Sequence, residues 1–187
     1  MTTLNEDAPA APGAGSHYLT PAAARRAIAL AAPMIEHAMR DRSVVGSGFL
    51  HIVVMDPCRP PGATPFEEAI LHEHAFGDRA AWDADYAAFA RAKARLSWIT
   101  GRDGRVLQQQ FPHLLRTGDT LLAGGVCLDG IVVAASGAFP WYDEVFAGTV
   151  ALCLRALARE AREAERDTLK LARRAPEPEP PSLLRPR

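Results

Sequence analysis

The chain has 187 residues, enough for one domain, and its 48% hydrophobic and 23% charged residues are ordinary for a globular protein. With 21 Lys and Arg against 22 Asp and Glu, it has no net charge that would attract nucleic acid or an anionic membrane. No apolar run approaches the ~20 residues of a membrane span, and the three cysteines suit neither a disulfide framework nor a zinc site. These features predict a cytoplasmic protein that binds neither nucleic acid nor membrane.

A disordered arm and a helix are predicted to open the chain. Residues 1–18 hold too few large apolar side chains to offset the entropic cost of ordering, which predicts disorder. Thr20-Pro21 then predicts a helix start, with Thr20 as the N-cap and Pro21 in the first turn. Apolar residues recur at helical spacing up to Met39, and Pro33 inside this pattern is expected to kink or split the helix.

Two strands and two helices are predicted next. Phe49–Met55 is short, apolar and rich in β-branched residues, and the second half of Phe66–Phe76 suits its hairpin partner. The proline-rich stretch 56–65 between them predicts a loop. A helix capped by Asp83 and a shorter helix over Val106–Leu115 are expected to follow.

A second hairpin and a long helix are predicted to complete the fold. Leu121–Leu128 and Ile131–Ser136 read as its strands, because Asp129-Gly130 between them is a typical two-residue turn. The longest helical pattern covers residues 142–174. Its first half has an apolar face, and its second half is charged on nearly every face.

The predicted order of elements is α-β-β-α-α-β-β-α. It indicates an α+β fold in which an antiparallel sheet of four to five strands is flanked by helices. The domain is expected to cover residues 19–158, and a charged C-terminal helix extension to follow at 159–175. The proline-rich residues 176–187 are predicted to form a disordered tail.

Four segments together resemble the GlcG/HbpS-like haem-binding family. They are LTPAAARRAI at Leu19–Ile28, FARAKARLSWITG at Phe89–Gly101, GDTLLAGGV at Gly118–Val126 and SGAFPWYDE at Ser136–Glu144. The resemblance implies a profilin-like fold, a homo-oligomer and a site for a small ligand, which is haem in some members. The chain departs from the family pattern at Cys127, where proline is usual, and in the shorter hairpin that follows.

The residues predicted to bind a ligand lie in these segments. Bare backbone would let a ligand approach closely, neighbouring aromatic side chains would line a flat ligand, and cationic side chains would neutralise its carboxylate. They are Gly124, Gly125, Ser136, Gly137, Trp141, Tyr142, Lys93 and Arg95. Packing in the core or solvation on a helix surface is the structural alternative for these residues.

Two further kinds of chemistry are compatible with the sequence. Asp143 is a candidate general acid or base, or else it only stabilises the positive end of the last helix. His72 and His74 are spaced to lie on one face of a strand, and His51 on the neighbouring strand is a candidate third ligand for a divalent metal. The alternative is that the histidines are ordinary polar residues of an exposed strand.

The sequence therefore favours an oligomeric small-molecule-binding protein, for haem or a planar aromatic carboxylic acid, that acts as a carrier, sensor or pathway accessory. One alternative is an enzyme of small-molecule metabolism that uses Asp143 or a histidine-bound metal. The other is a ligand-free assembly protein that makes its contacts through the charged final helix.

Overall fold

The computed structural model describes residues 15–171, and their order of elements confirms the predicted α+β fold. A four-stranded antiparallel sheet packs against helices on both faces. The predicted tail at 176–187 and residues 1–14 of the predicted arm lie outside the described residues. Ser16, near the end of that arm, donates its backbone N–H to the carboxylate of Asp56 over 3.1 Å, so this part of the arm is held to the domain.

Five α-helices and four strands make up the described part of the chain. The helices are α1 (Pro21–Ala38), α2 (Phe66–Ala69), α3 (Tyr86–Thr100), α4 (Gly104–Gln110) and α5 (Pro140–Ala164). The strands are β1 (Leu50–Met55), β2 (Ile70–Phe76), β3 (Gly125–Leu128) and β4 (Ile131–Ser136). Single turns of 3-10 helix lie at Arg79–Ala81 and Pro112–Leu114. None of these helices is long and apolar enough to cross a membrane.

Helix α1 starts where the sequence predicts. Oγ1 of Thr20 accepts the N–H of Ala23 at 3.2 Å, and Pro21 occupies the first turn. Pro33 does not split the helix, which continues to Ala38. Proline removes the N–H that would bond the carbonyl of Ala29, but both residues are exposed, so water can reach that carbonyl.

The strand order is β2-β1-β4-β3, with every neighbouring pair antiparallel. The predicted turn between β3 and β4 is confirmed: Asp129 and Gly130 have φ angles of 52° and 84°, the left-handed pair that a two-residue hairpin turn needs. β3 is shorter than predicted, because it begins at Gly125, and the exposed Leu121 and Leu122 precede it as irregular chain.

The sheet separates two apolar layers. On one face, Leu50, Ile52 and Val54 of β1 pack with α1 and α5, and we call this side the α1/α5 layer. On the other face, Val53 and Met55 pack with α3, and we call this side the α3 layer. The side chains of successive residues in a strand therefore point into different layers. Whether a residue number is odd or even decides which layer its side chain enters on a given strand.

Three predicted helices have wrong boundaries. α4 covers Gly104–Gln110 rather than the predicted Val106–Leu115. α3 is capped by Asp85, whose side chain accepts the N–H of Ala88 at 2.9 Å, whereas Asp83 accepts a hydrogen bond from the hydroxyl of Tyr86 at 2.6 Å. α5 ends at Ala164, ten residues before the predicted end, and residues 165–171 form turns and bends. Beyond Ala164 the chain lacks the apolar face that packs the rest of α5, and an unpacked short helix is marginal in water.

Candidate functional site

Three of the four segments that carry the family resemblance meet at a buried ion pair between Lys93 and Asp143. Nζ of Lys93 lies 2.7 Å from Oδ2 of Asp143, and the side chains are only 3% and 2% exposed. Lys93 also donates to the carbonyl of Ala135 at 3.0 Å and to Oγ of Ser136 at 3.2 Å. Oδ1 of Asp143 accepts the N–H of Ala138 at 2.9 Å. The pair therefore joins α3 to the end of β4 and the start of α5.

Gly124 and Gly125 pack directly against this cluster. A Cβ added to Gly124 would lie 2.7 Å from Cβ of Asp143 and 3.2 Å from Nζ of Lys93. A Cβ added to Gly125 would lie 2.5 Å from Oγ of Ser97. Real Cβ atoms do not approach other atoms this closely, so the two glycines have a packing role within the chain itself.

The other predicted ligand residues are not gathered at one cavity. Gly137 packs against the backbone of Phe49, which a Cβ at this position would overlap. Arg95 lies on the exposed face of α3. Trp141 is 57% exposed, and Tyr142 is half-buried against the α1/α5 layer. Their role in ligand binding stays a prediction.

The buried pair has unusual proton affinities. Burial raises the pKa of Asp143 to about 6, against the opposing effect of the nearby Lys93 charge. Burial likewise lowers the pKa of Lys93, and the charge of Asp143 opposes that shift. A carboxyl pKa near 6 is typical of a general acid or base. Both oxygens of Asp143 already accept hydrogen bonds, however, and its side chain is almost fully buried, so the carboxylate is not accessible to a substrate in this structure.

The three histidines predicted as metal ligands lie on two different faces of the sheet. His72 and His74 share one face, as predicted, whereas His51 pairs with Ala75 and therefore faces the other side. Within residues 15–171, no group of three or more His, Cys, Asp and Glu side chains could hold a metal ion. The structure therefore does not bring His51 to the other two histidines.

His51 instead lies in the α3 layer and contacts a charged pair. Its Nε2 lies 3.1 Å from Oε1 of Glu73, and the Glu73 carboxylate accepts two hydrogen bonds from Arg91 at 2.8 and 2.6 Å. Burial lowers the pKa of His51. The hydrogen bonds from Arg91 lower the pKa of Glu73, so the carboxylate stays charged and accepts a hydrogen bond from the neutral imidazole of His51.

This arrangement predicts that acid destabilises the fold. Folded His51 and Glu73 both bind protons less readily than in the unfolded chain, so the unfolded state gains protons first as the pH falls. Stability is therefore expected to fall below pH 6.5 through His51 and further below pH 4.5 through Glu73. Urea denaturation at pH 7.5 and 5.5 should show a smaller loss for His51→Gln than for the wild type. Replacement of the exposed His113 by Gln should leave the wild-type loss unchanged, and equal losses in all three proteins would contradict the prediction.

A groove between α1 and β2 contains the other two histidines. Its cavity has a volume of about 570 Å³. Ile28, Ala29, Ala32 and Phe76 supply an apolar floor, and Arg25, Glu36, His72 and His74 supply the polar groups. The α1 residues in this set lie at positions 25, 28, 29, 32 and 36, a spacing that places them on one face of the helix.

The polar side chains of the groove have no hydrogen-bonding or ion-pair partner in the described part of the chain. Within residues 15–171, none of the side chains of Arg25, Glu36, His72 and His74 makes a hydrogen bond or ion pair with another residue. By contrast, Nη2 of Arg26, the neighbour of Arg25 on α1, lies 3.8 Å from Oε2 of Glu160, and both residues line a different cavity. Burial lowers the pKa of His72 and of His74, so both imidazoles are largely neutral at pH 7. The groove therefore offers one cation, one anion and two neutral imidazoles over an apolar surface.

Sequence reasoning found His72 and His74 but missed Arg25 and Glu36. Their only signal is that they lie on the same α1 face as Ile28 and Ala32. Charged residues beside such a face are usually solvated, and the packing of α1 beside β2 is not visible in the sequence.

Comparisons of the chain with protein-family models and with curated proteins found no match. The resemblance to the GlcG/HbpS-like haem-binding family therefore stays a prediction that the four segments carry.

Proposed function

We propose that the chain is a small-molecule-binding protein whose ligand, a planar or aromatic carboxylic acid, occupies the groove between α1 and β2. The observation that carries the proposal is the convergence of four polar side chains without partners on one apolar cavity. The protein's role is then to hold and release the ligand, as a carrier, sensor or pathway accessory.

The chemistry of the groove supports this ligand class. A guanidinium group binds a carboxylate with two parallel hydrogen bonds, and Arg25 is free to do so. The apolar floor of Ile28, Ala29 and Ala32 suits the flat body of an aromatic ligand. Ligand sites typically combine an apolar lining with a few polar groups in a volume of roughly 300–1,000 Å³, and this cavity falls within that range.

Haem is one carboxylic acid of this class, and the donor set of the groove fits it. A neutral imidazole of His72 or His74 would supply a nitrogen ligand to the haem iron, and Arg25 would pair with a propionate. Bound haem would supply redox or gas-binding chemistry at its iron. The predicted homo-oligomer is not required for this groove, because all lining residues come from one chain, and it stays a prediction.

Arg25→Gln is expected to weaken binding of 2-naphthoate and of haemin by roughly tenfold or more, because it removes a charge-assisted hydrogen-bonded pair. Isothermal titration calorimetry measures the naphthoate affinity, and the Soret band reports haemin. Arg26→Gln is the matched control: it removes the same charge from the adjacent residue, outside the groove, and should leave both affinities unchanged. Equal weakening by the two variants, or the absence of saturable binding of both 2-naphthoate and haemin, would overturn the proposal.

A further inference from the structure

Strand β2 is an edge of the sheet. It pairs with β1 on one side, and no other strand of the described chain pairs with it on the other. Alternate residues of β2 therefore direct their N–H and C=O groups away from β1, beside the groove. An unpaired edge of this kind is a template for an added strand.

Helix α1 runs in the same direction as β2. Near its start, Thr20 and Pro21 line a cavity together with Ile70 and Leu71, at the start of β2. Met39 follows the end of α1 and lies close to Gly77, which follows β2. A Cβ added to Gly77 would lie 3.6 Å from the methyl carbon of Met39. The charges of the groove are therefore ordered along β2: the cation lies towards its start and the anion towards its end.

Arg25 and Glu36 mark the two ends of the groove. Arg25 acts electrostatically on His72, and Glu36 lines the groove with Phe76 and Gly77. They are eleven positions apart on α1, which corresponds to about 16 Å along the helix axis. A strand of five residues spans about 17 Å. The charges are thus separated by about the length of a short extended peptide.

We infer that this groove also binds a short linear peptide, of about five residues, that adds to β2 as an antiparallel strand with both termini free. This inference rests on the proposed function, because it assigns the same groove and the same pairing of Arg25 with a carboxylate. Antiparallel addition places the amino terminus of the peptide near Glu36 and its carboxyl terminus near Arg25. Parallel addition would reverse both ends and bring like charges together.

The floor of the groove adds a preference for side chains. Alternate residues of the added strand would point towards α1, where the small side chains of Ala29 and Ala32 leave space. Phe76 and the edge-on ring of His74, 4.6 Å away between centroids, present an aromatic surface at one end. Large apolar side chains at alternate peptide positions fit this surface best.

The test titrates full-length protein with the free pentapeptide Ala-Phe-Ala-Phe-Ala by calorimetry. Amidation of the carboxyl terminus, or Arg25→Gln, should weaken binding roughly tenfold, and acetylation of the amino terminus, or Glu36→Gln, should do the same. Arg26→Gln should have no effect. Two further peptides carry N-methyl groups on alternate amides, one on the even-numbered and one on the odd-numbered residues. Only the peptide whose methylated amides face β2 should lose binding, because its main-chain hydrogen bonds to β2 are blocked.

The outcomes separate this inference from the proposed function. Binding that depends on both peptide termini, and that only one of the two N-methylated peptides loses, supports addition of the peptide to β2 as a strand. Equal binding of the free and both N-methylated peptides, or no peptide binding while 2-naphthoate binds in an Arg25-dependent manner, overturns the inference and leaves the proposed function standing. If neither peptide nor naphthoate nor haemin binds, both are overturned.

Discussion

Lys93→Met is expected to destabilise the protein by about 3–5 kcal/mol, because it leaves the carboxylate of Asp143 buried without its countercharge. The double variant Lys93→Met/Asp143→Asn should recover a large part of that loss. The asparagine keeps an acceptor for the N–H of Ala138 but carries no charge. Urea denaturation of the wild type, both single variants and the double variant measures the coupling, which we expect to be about 1–3 kcal/mol.

The control for this cycle lies on the same helix. Arg95→Met removes a positive charge two positions from Lys93, at an exposed site, and should change the free energy of unfolding by less than about 0.5 kcal/mol. If the two replacements at Lys93 and Asp143 were simply additive, the pair would not act as a unit, and our account of it would be wrong.

Gly137→Ala is expected to cost about 3 kcal/mol or more. Gly137 has a φ of +137°, which side-chain-bearing residues rarely adopt, and its added Cβ would overlap the carbonyl group of Phe49 and lie 2.9 Å from Cα of Leu50. Both neighbours belong to the backbone, so no side-chain rotation relieves the contact. The measurement is the shift of the thermal and urea unfolding midpoints.

Gly101→Ala provides the matched control. Gly101 also has a positive φ, 63°, at the end of α3, but no atom lies within 4 Å of the position that an added Cβ would occupy. We expect this change to cost about 1 kcal/mol, from backbone conformation alone. A similar cost for the two alanine variants would show that the contact with Phe49 does not constrain the end of β4.

Local signals predict most of the fold. Thr20-Pro21 fixes the start of α1, and Asp129-Gly130 fixes a hairpin, because each depends on the chemistry of one or two residues. The predicted end of α5 is wrong for a different reason. Charge pairs along residues 159–174 favour a helix locally, but what ends α5 at Ala164 is the loss of apolar packing, which depends on where the rest of the chain lies.

The candidate site is less predictable because it depends on register. The spacing of His72 and His74 is enough to place them on one face of a strand. Whether His51 joins them depends on which residue of β1 lies opposite which residue of β2, and a shift of one residue reverses the answer. The sequence does not show the role of Lys93 for a similar reason. Arg95, two positions later on α3, is exposed, and only the packing of α3 on β4 shows that Lys93 is buried.

The alternation along β2 has a consequence for how this protein can vary. Its even positions, His72 and His74, face the groove, while Glu73 between them reaches His51 and Arg91 on the opposite side. A substitution alters one of these contacts, but a single inserted or deleted residue would exchange the two faces along the whole strand. We therefore expect homologues to tolerate changes of residue type in β2 far more readily than changes of its length.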